Sequence, residues 1–183
     1  MATVVGSGKH RFEVIADWAK VPPGWSARMA AVTVDSQDRV YSFNRGEHPV
    51  IVFDKNGEFL NSWGEGMFAF PHAIRVDHQD NIWIVDRKGG QVFKFTMRGK
   101  LLMTIGTRGY RSDTGADNTA NRYTHKLVTH PGGPFNLPSG VAVAESGDIF
   151  ITDGYGNCQV HRFSPDGKYL YSWGQPGTGP GQF

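Results

Sequence analysis

Three short motifs carry side chains able to do polar chemistry. Phe43 to His48 reads FNRGEH and supplies Arg45. Pro71-His72 opens a run of β-branched residues. Ile151 to Asn157 reads ITDGYGN and supplies Tyr155. An imidazole can ligate a metal or carry a proton near neutral pH. A phenol is a weak base, with a pKa of about 10 in water, and a neighbouring cation favours its ionised form. Taken singly, each residue has a plainer role. A histidine after proline in a loop is more often hydrogen-bonded or solvated than a ligand. Tyr155 can pack as a turn aromatic on a neighbouring element, and Arg45 can pair with Asp86 or Asp153. Cys158, the only cysteine, has no histidine beside it in sequence and reads as a small buried filler rather than a nucleophile.

The elements that must position these residues come from an internal repeat. Ala30–Gly64, His72–Gly106 and Ser139–Gly174 align. Each begins with a short apolar strand (Val32 and Val34, Ile74 and Val76, Val141 and Val143). A polar turn follows, carrying Asp38, Asp80 or Gly147-Asp148. A β-branched and aromatic strand, a turn and a third strand come next. A glycine turn (Asn56-Gly57, Arg98-Gly99, Asp166-Gly167) then leads to a fourth strand ending at Trp63-Gly64, Ile105-Gly106 or Trp173-Gly174. Alternation, β-branched enrichment and Asn-Gly or Asp-Gly turns mark hairpins. Four antiparallel strands every ~40 residues are the signature of a propeller blade. The expected fold is all-β, one partial β-propeller over residues 1–183 with about three four-stranded blades. Asp35, Asp77, Asp86 and Asp153 recur at repeat positions, which favours turn or blade-linking roles over catalysis. His78 falls in a polar turn, and His161 reads as an exposed strand residue.

About 25 residues separate the second and third repeats beyond the normal spacing, roughly 107–133. Loops this long are uncommon and are usually functional or disordered; the stretch, which holds His125 and His130, reads as an exposed mobile loop or as a lid. Three blades leave edges that invite pairing, so the expectation is a homodimer that completes the ring or a missing second half. Arg11–Ile15 is a further strand, able to complete the last blade of a full ring.

The repeats resemble the NHL family and, from about Ala30 onward, the peptidyl-α-hydroxyglycine α-amidating lyases and their bacterial relatives. FAFPHAIRVDHQDNIWIVD (68–86), FNRGEH and the Asp-Gly-Tyr of 153–155 carry the likeness. The resemblance implies half of a six-bladed ring. It implies His72 as one zinc ligand, the backbone carbonyls of Val32 and Ile74 on a central calcium, Arg45 in the active site and Tyr155 as the base. The implied reaction breaks a C–N bond at a hydroxylated carbon. Zinc polarises the hydroxyl and keeps an open position, and a carbonyl-lined calcium suits that ion's preference for oxygen. The sequence also departs from the pattern. Ala30 and Ser139 stand where the other repeats would repeat His72, so one of the zinc-binding histidines is present. Arg87 and Gly89-Gly90 stand where relatives often have a different polar turn. Two copies of the chain would set His72 in a twofold arrangement, not the family's threefold one. The chain alone is therefore expected to be inactive, and the lyase activity is expected of a complete ring.

Composition narrows the classes. A net charge of +2 without a basic run argues against nucleic acid as the main ligand. No apolar stretch reaches the ~18 residues of a membrane span. No signal peptide is visible and one cysteine cannot form an internal disulfide, so a cytoplasmic location is expected; the resemblance implies a small-molecule or peptide substrate. The two alternatives are a non-catalytic NHL scaffold and a lactonase-type hydrolase, the latter needing acidic ligands in the channel.

Overall fold

The computed structural model describes residues 3–116 and 128–183. Strands β1 (Thr3–Ser7) and β2 (His10–Val14) form an exposed hairpin. Three four-stranded antiparallel sheets follow: β3 (Met29–Val34), β4 (Val40–Asn44), β5 (Val50–Phe53) and β6 (Phe59–Trp63); then β7 (Pro71–Val76), β8 (Ile82–Asp86), β9 (Gln91–Phe95) and β10 (Leu101–Ile105); then β11 (Gly140–Val143), β12 (Ile149–Asp153), β13 (Gln159–Phe163) and β14 (Tyr169–Trp173). Each sheet is an up-and-down meander. The first strands β3, β7 and β11 are sheet edges that adjoin one another from blade to blade. This is the propeller arrangement that the repeats predict. Among the described residues no helix is long and apolar enough to cross a membrane. The Arg11–Ile15 strand falls largely within β2, which pairs with β1 and with none of the three blades.

The core lies between blades rather than within one. Strand β8 shows why Ile82-Trp83-Ile84-Val85 is an unbroken apolar run. Successive side chains point to opposite faces, and both faces are covered. Ile82 and Ile84 pack with Tyr41, Phe43, Val50 and Val52 of the first blade. Trp83 and Val85 pack with Val141, Ile149, Ile151 and Phe163 of the third. The fourth strands β6, β10 and β14 are exposed over much of their length.

Two devices repeat at the turns. The residue two positions before the second strand adopts a left-handed conformation in every blade, at Asp38 (φ 59°), Asp80 (φ 58°) and Gly147 (φ 86°); aspartate and glycine tolerate this region best. In two blades an aspartate three residues earlier ties the turn together. Asp35 accepts the Gln37 and Arg39 amides, and Asp77 accepts those of Gln79 and Asn81. At the outer rim, Gly99 lies under the indole of Trp63 and Gly167 under the side chain of Met103. Gly57 packs against Trp18, chiefly against its backbone carbonyl and then its indole. A Cβ at Gly57 or Gly99 would lie within 3 Å of its neighbour, so the glycine makes the socket into which the preceding segment plugs.

Candidate functional site

The site sits where the first strands begin and the second strands end, at the same end of all three blades. Its foundation is the residue that closes each second strand. Asp86 is buried and its carboxylate accepts the backbone N–H groups of Ala69 (2.7 Å), Phe70 (2.7 Å) and Gly89 (3.1 Å). The Phe70-Pro71-His72 entry to β7 is thereby held against the end of β8. A Cβ on Gly89 would come within 2.1 Å of that carboxylate, which accounts for the glycine. Asp153 plays the same part in the next blade, accepting the Asn136 N–H (2.7 Å), the Asn157 side-chain amide (3.0 Å) and a nitrogen of His161 (3.2 Å). In the first blade Asn44 donates to the carbonyls of Ser26 and His48. His161 is fully buried, contrary to its reading as an exposed strand residue. It stands at the register of Ile51 and Phe93, which are buried as well.

On this foundation His72 and Tyr155, 83 residues apart, come together. His72 Nε2 is 3.1 Å from the Tyr155 hydroxyl and the rings meet edge to face at 5.1 Å. His72 Nδ1 is 2.7 Å from the carbonyl oxygen of Ser139. That acceptor fixes the tautomer: Nδ1 carries the hydrogen and Nε2 presents its lone pair. Burial pushes the His72 pKa down. The Ser139 carbonyl opposes this, while the charges of Arg87 and then Arg45 add to it. The neutral form is favoured in the folded state, which sets a pH dependence. A depressed histidine pKa contributes stability that is present above the unfolded value, about 6.5, and is lost as the pH falls below it. Denaturant titrations should show stability falling as the pH drops below about 6.5, before the carboxylates Asp35 and Asp77 lose theirs. His72→Gln should flatten the upper part of that slope.

Arg45 lies near the pair without touching Tyr155. Its Nε donates to the Pro71 carbonyl (3.1 Å) and its guanidinium lies 4.4 Å from the centre of the Phe70 ring. The guanidinium on Tyr155 is that of Arg87, 4.4 Å from the ring centre and 4.5 Å from that of Phe70. Sequence reading treated Arg87 only as a departure. The signal that could have found it is the repeat spacing, because Arg45 and Arg87 each follow the last residue of a second strand. Among the described residues neither arginine has a carboxylate partner within 4 Å; Arg45 pairs with neither Asp86 nor Asp153. Arg45 also lines a groove of about 460 Å³ whose walls include Trp25, Arg28, Glu47 and His48.

The metal chemistry fits in part. His72 has the tautomer, neutrality and carbonyl-anchored ring of a ligating histidine, yet among the described residues no three His, Cys, Asp or Glu side chains converge. For calcium, the ladder fixes which way the carbonyls point. Asp35 N–H bonds to Arg39 and Asp77 N–H to Asn81. In an antiparallel ladder hydrogen-bonded pairs alternate, so Val32 opposite Ser42 and Ile74 opposite Ile84 turn their carbonyls to the free edge. Val76 N–H confirms the phase by leaving its own sheet for the Thr33 hydroxyl. Val141, opposite Ile151 with the Ala144 N–H on Asp148, shares this phase and was not anticipated. Three edge carbonyls are hard oxygen donors of the kind calcium takes, fewer than a full shell.

The inserted stretch has a defined base, and residues 117–127, with His125, lie outside the described residues. Thr114 donates its hydroxyl to the Gly156 carbonyl (2.6 Å). Gly132 exchanges two hydrogen bonds of 3.1 Å with the Asn157 side chain. The base thus clasps the loop that carries Tyr155. Cys158, on the same loop, is buried as expected, and burial together with the charge of Asp153 pushes its thiol pKa up. An aromatic disulfide reagent should consume one thiol per chain in denaturant and react with native protein only as fast as it unfolds.

The family model for the NHL repeat matches residues 135–163. The chain is 30% identical to rat "Peptidylglycine alpha-amidating monooxygenase" over 97% of its own length and 20% of that protein's. It is 31% identical to "Peptidyl-alpha-hydroxyglycine alpha-amidating lyase 1" of Drosophila melanogaster, over 78% of the chain and 24% of the fly protein. The chain thus spans about a fifth to a quarter of the length of these relatives. Among solved structures, "Streptogramin B lyase structure" superposes with a TM-score of 0.58 at 13% identity, over 85% of the chain and 43% of that protein, a likeness of fold alone.

Proposed function

We propose that this chain, an NHL-repeat β-propeller segment resembling the amidating lyases, contributes part of the catalytic centre of a lyase that cleaves a C–N bond at a hydroxylated carbon. The activity is assigned to the ring to which these blades belong. The observation that carries it is the 3.1 Å approach of Tyr155 to His72 across two blades, flanked by two arginines. In such a reaction the proton leaves the substrate hydroxyl and the C–N electron pair goes to nitrogen, which is then protonated. An amide and an aldehyde result, glyoxylate when the carbon is that of hydroxyglycine. To act as the base Tyr155 must enter the step as the phenolate: its Oη takes the hydroxyl proton and then gives it to the departing nitrogen, which restores the phenolate. In the protonated resting form the phenol donates its hydrogen bond to His72 Nε2. Arg45, with Nε spent on Pro71, keeps its terminal nitrogens for an anionic group of the substrate and orients it. Zinc, when bound, would be held at His72 Nε2 in place of the tyrosine hydrogen bond and would supply polarisation of the substrate hydroxyl. Calcium would tie the first strands together at Val32, Ile74 and Val141.

The test is release of glyoxylate from a peptide ending in α-hydroxyglycine, by protein supplied with zinc and then by the same protein treated with a chelator. Stoichiometric glyoxylate and peptide amide, lost with the chelator, support the reading. Their absence from a ring that contains these blades removes it.

A further inference from the structure

We propose that Arg87 is the positioning residue that holds Tyr155 on His72. Its effect on turnover rests on the lyase reading; its effect on the His72 ring does not. The loop 154–157 is fixed through the Asn157 side chain, held by Asp153 and Gly132, and through the Gly156 carbonyl, held by Thr114. None of these contacts sets the direction of the tyrosine side chain. Two groups do: the edge of His72, and the guanidinium of Arg87 on the ring face. Arg87 is itself well anchored. Its backbone N–H bonds to the Phe70 carbonyl (3.1 Å), and Phe70 is the residue whose own N–H is held by Asp86. Its guanidinium lies over Phe70 at 4.5 Å and over Tyr155 at 4.4 Å. Its Nε is shut away from solvent with no hydrogen-bond partner. A guanidinium so placed finds its compensation in the electron-rich ring faces, and its flat shape is what allows stacking; an ammonium at the end of a flexible stem does not reproduce it. Arg45 lies over the Phe70 ring, and the cation–ring contact on Tyr155 is made by Arg87. The two arginines therefore divide the work: Arg45 faces the groove, and Arg87 aims the phenol.

Two variants test this. Arg87→Met keeps the stem and removes plane and charge; Arg87→Lys keeps charge and removes the plane. The readout on the free chain is the nitrogen NMR spectrum of the His72 imidazole, with Tyr155→Phe as the reference for a lost hydrogen bond. The Met variant should shift the His72 Nε2 signal to the Tyr155→Phe position and the Lys variant most of the way, both melting with the parent. In the active ring, the Met variant should lose on the order of 10- to 100-fold in kcat, as misplacement of a reacting group by about 1 Å does, with KM unchanged. An unshifted His72 signal overturns the proposal. So does a raised KM at constant kcat, which would make Arg87 a substrate anchor. Should the Met variant fail to fold, the Lys variant decides by the same signal. If the parent ring forms no glyoxylate, the lyase reading fails, and the His72 signal still decides the role of Arg87.

Discussion

Under the proposed lyase reading, Tyr155→Phe is expected to lower kcat of the assembled ring by about 10² to 10⁴, the usual contribution of a positioned acid–base group. The melting temperature should barely change. The substitution removes one oxygen. The ring that remains still stacks on Arg87 and still meets the edge of His72. What is lost is one hydrogen bond, worth about 1 kcal/mol net, and the atom that would take and return the proton. Glyoxylate release and a thermal melt on the same preparation separate the possibilities. A large loss of rate at constant melting temperature assigns the chemistry to the hydroxyl. Parallel losses of rate and stability would mean that the hydroxyl serves the blade junction, and unchanged turnover would take Tyr155 out of the reaction.

Asp86→Ala should have the largest effect on the fold. The buried carboxylate satisfies three backbone N–H groups, those of Ala69, Phe70 and Gly89. Hydrogen bonds to a charged group contribute about 1.5–3 kcal/mol each, and orphaned buried donors carry a desolvation cost. Water reaching part of the vacated space softens the loss. The expected destabilisation is on the order of 4 kcal/mol, read from urea unfolding. The entry to β7 should be released, so the His72 NMR signal should broaden even where the rest of the chain stays folded. Asp86→Asn keeps one acceptor oxygen and should fall between. A loss under about 1 kcal/mol, the range of an ordinary surface change, would show that the three amides find other partners and that Asp86 does not hold the site.

The blades were legible because their causes are local. A left-handed turn residue, an apolar second strand and a glycine socket recur in step, and each leaves its mark on residue type. The site was legible only as separate parts. Nothing in the spacing of residues 72 and 155 says that they touch; that follows from blade-to-blade packing, which sets the end of β12 beside the start of β7. Arg87 was passed over because the motifs drew attention to Arg45, although the shared position of the two at their strand ends was in plain view. His161 was misjudged because a polar residue in a strand suggests solvent. Ile51 and Phe93 at the same register would have placed it inside, where Asp153 and Ser172 meet its two nitrogens.

The inserted stretch separates two kinds of freedom. Gly64 is covered by Phe68 four residues later, and Gly106 by Phe135 after twenty-nine; the joint between blades is the same in both cases. Architecture is therefore indifferent to how much chain is spliced there, while Thr114 and Gly132 couple the splice to the loop that carries Tyr155. Selection, or an engineer, can rewrite the interior of that segment without renegotiating the ring, and any change transmitted through the clasp reaches the phenol first. The aim of the loop that carries Tyr155 can thus be adjusted through the splice while the frame of blades stays as it is.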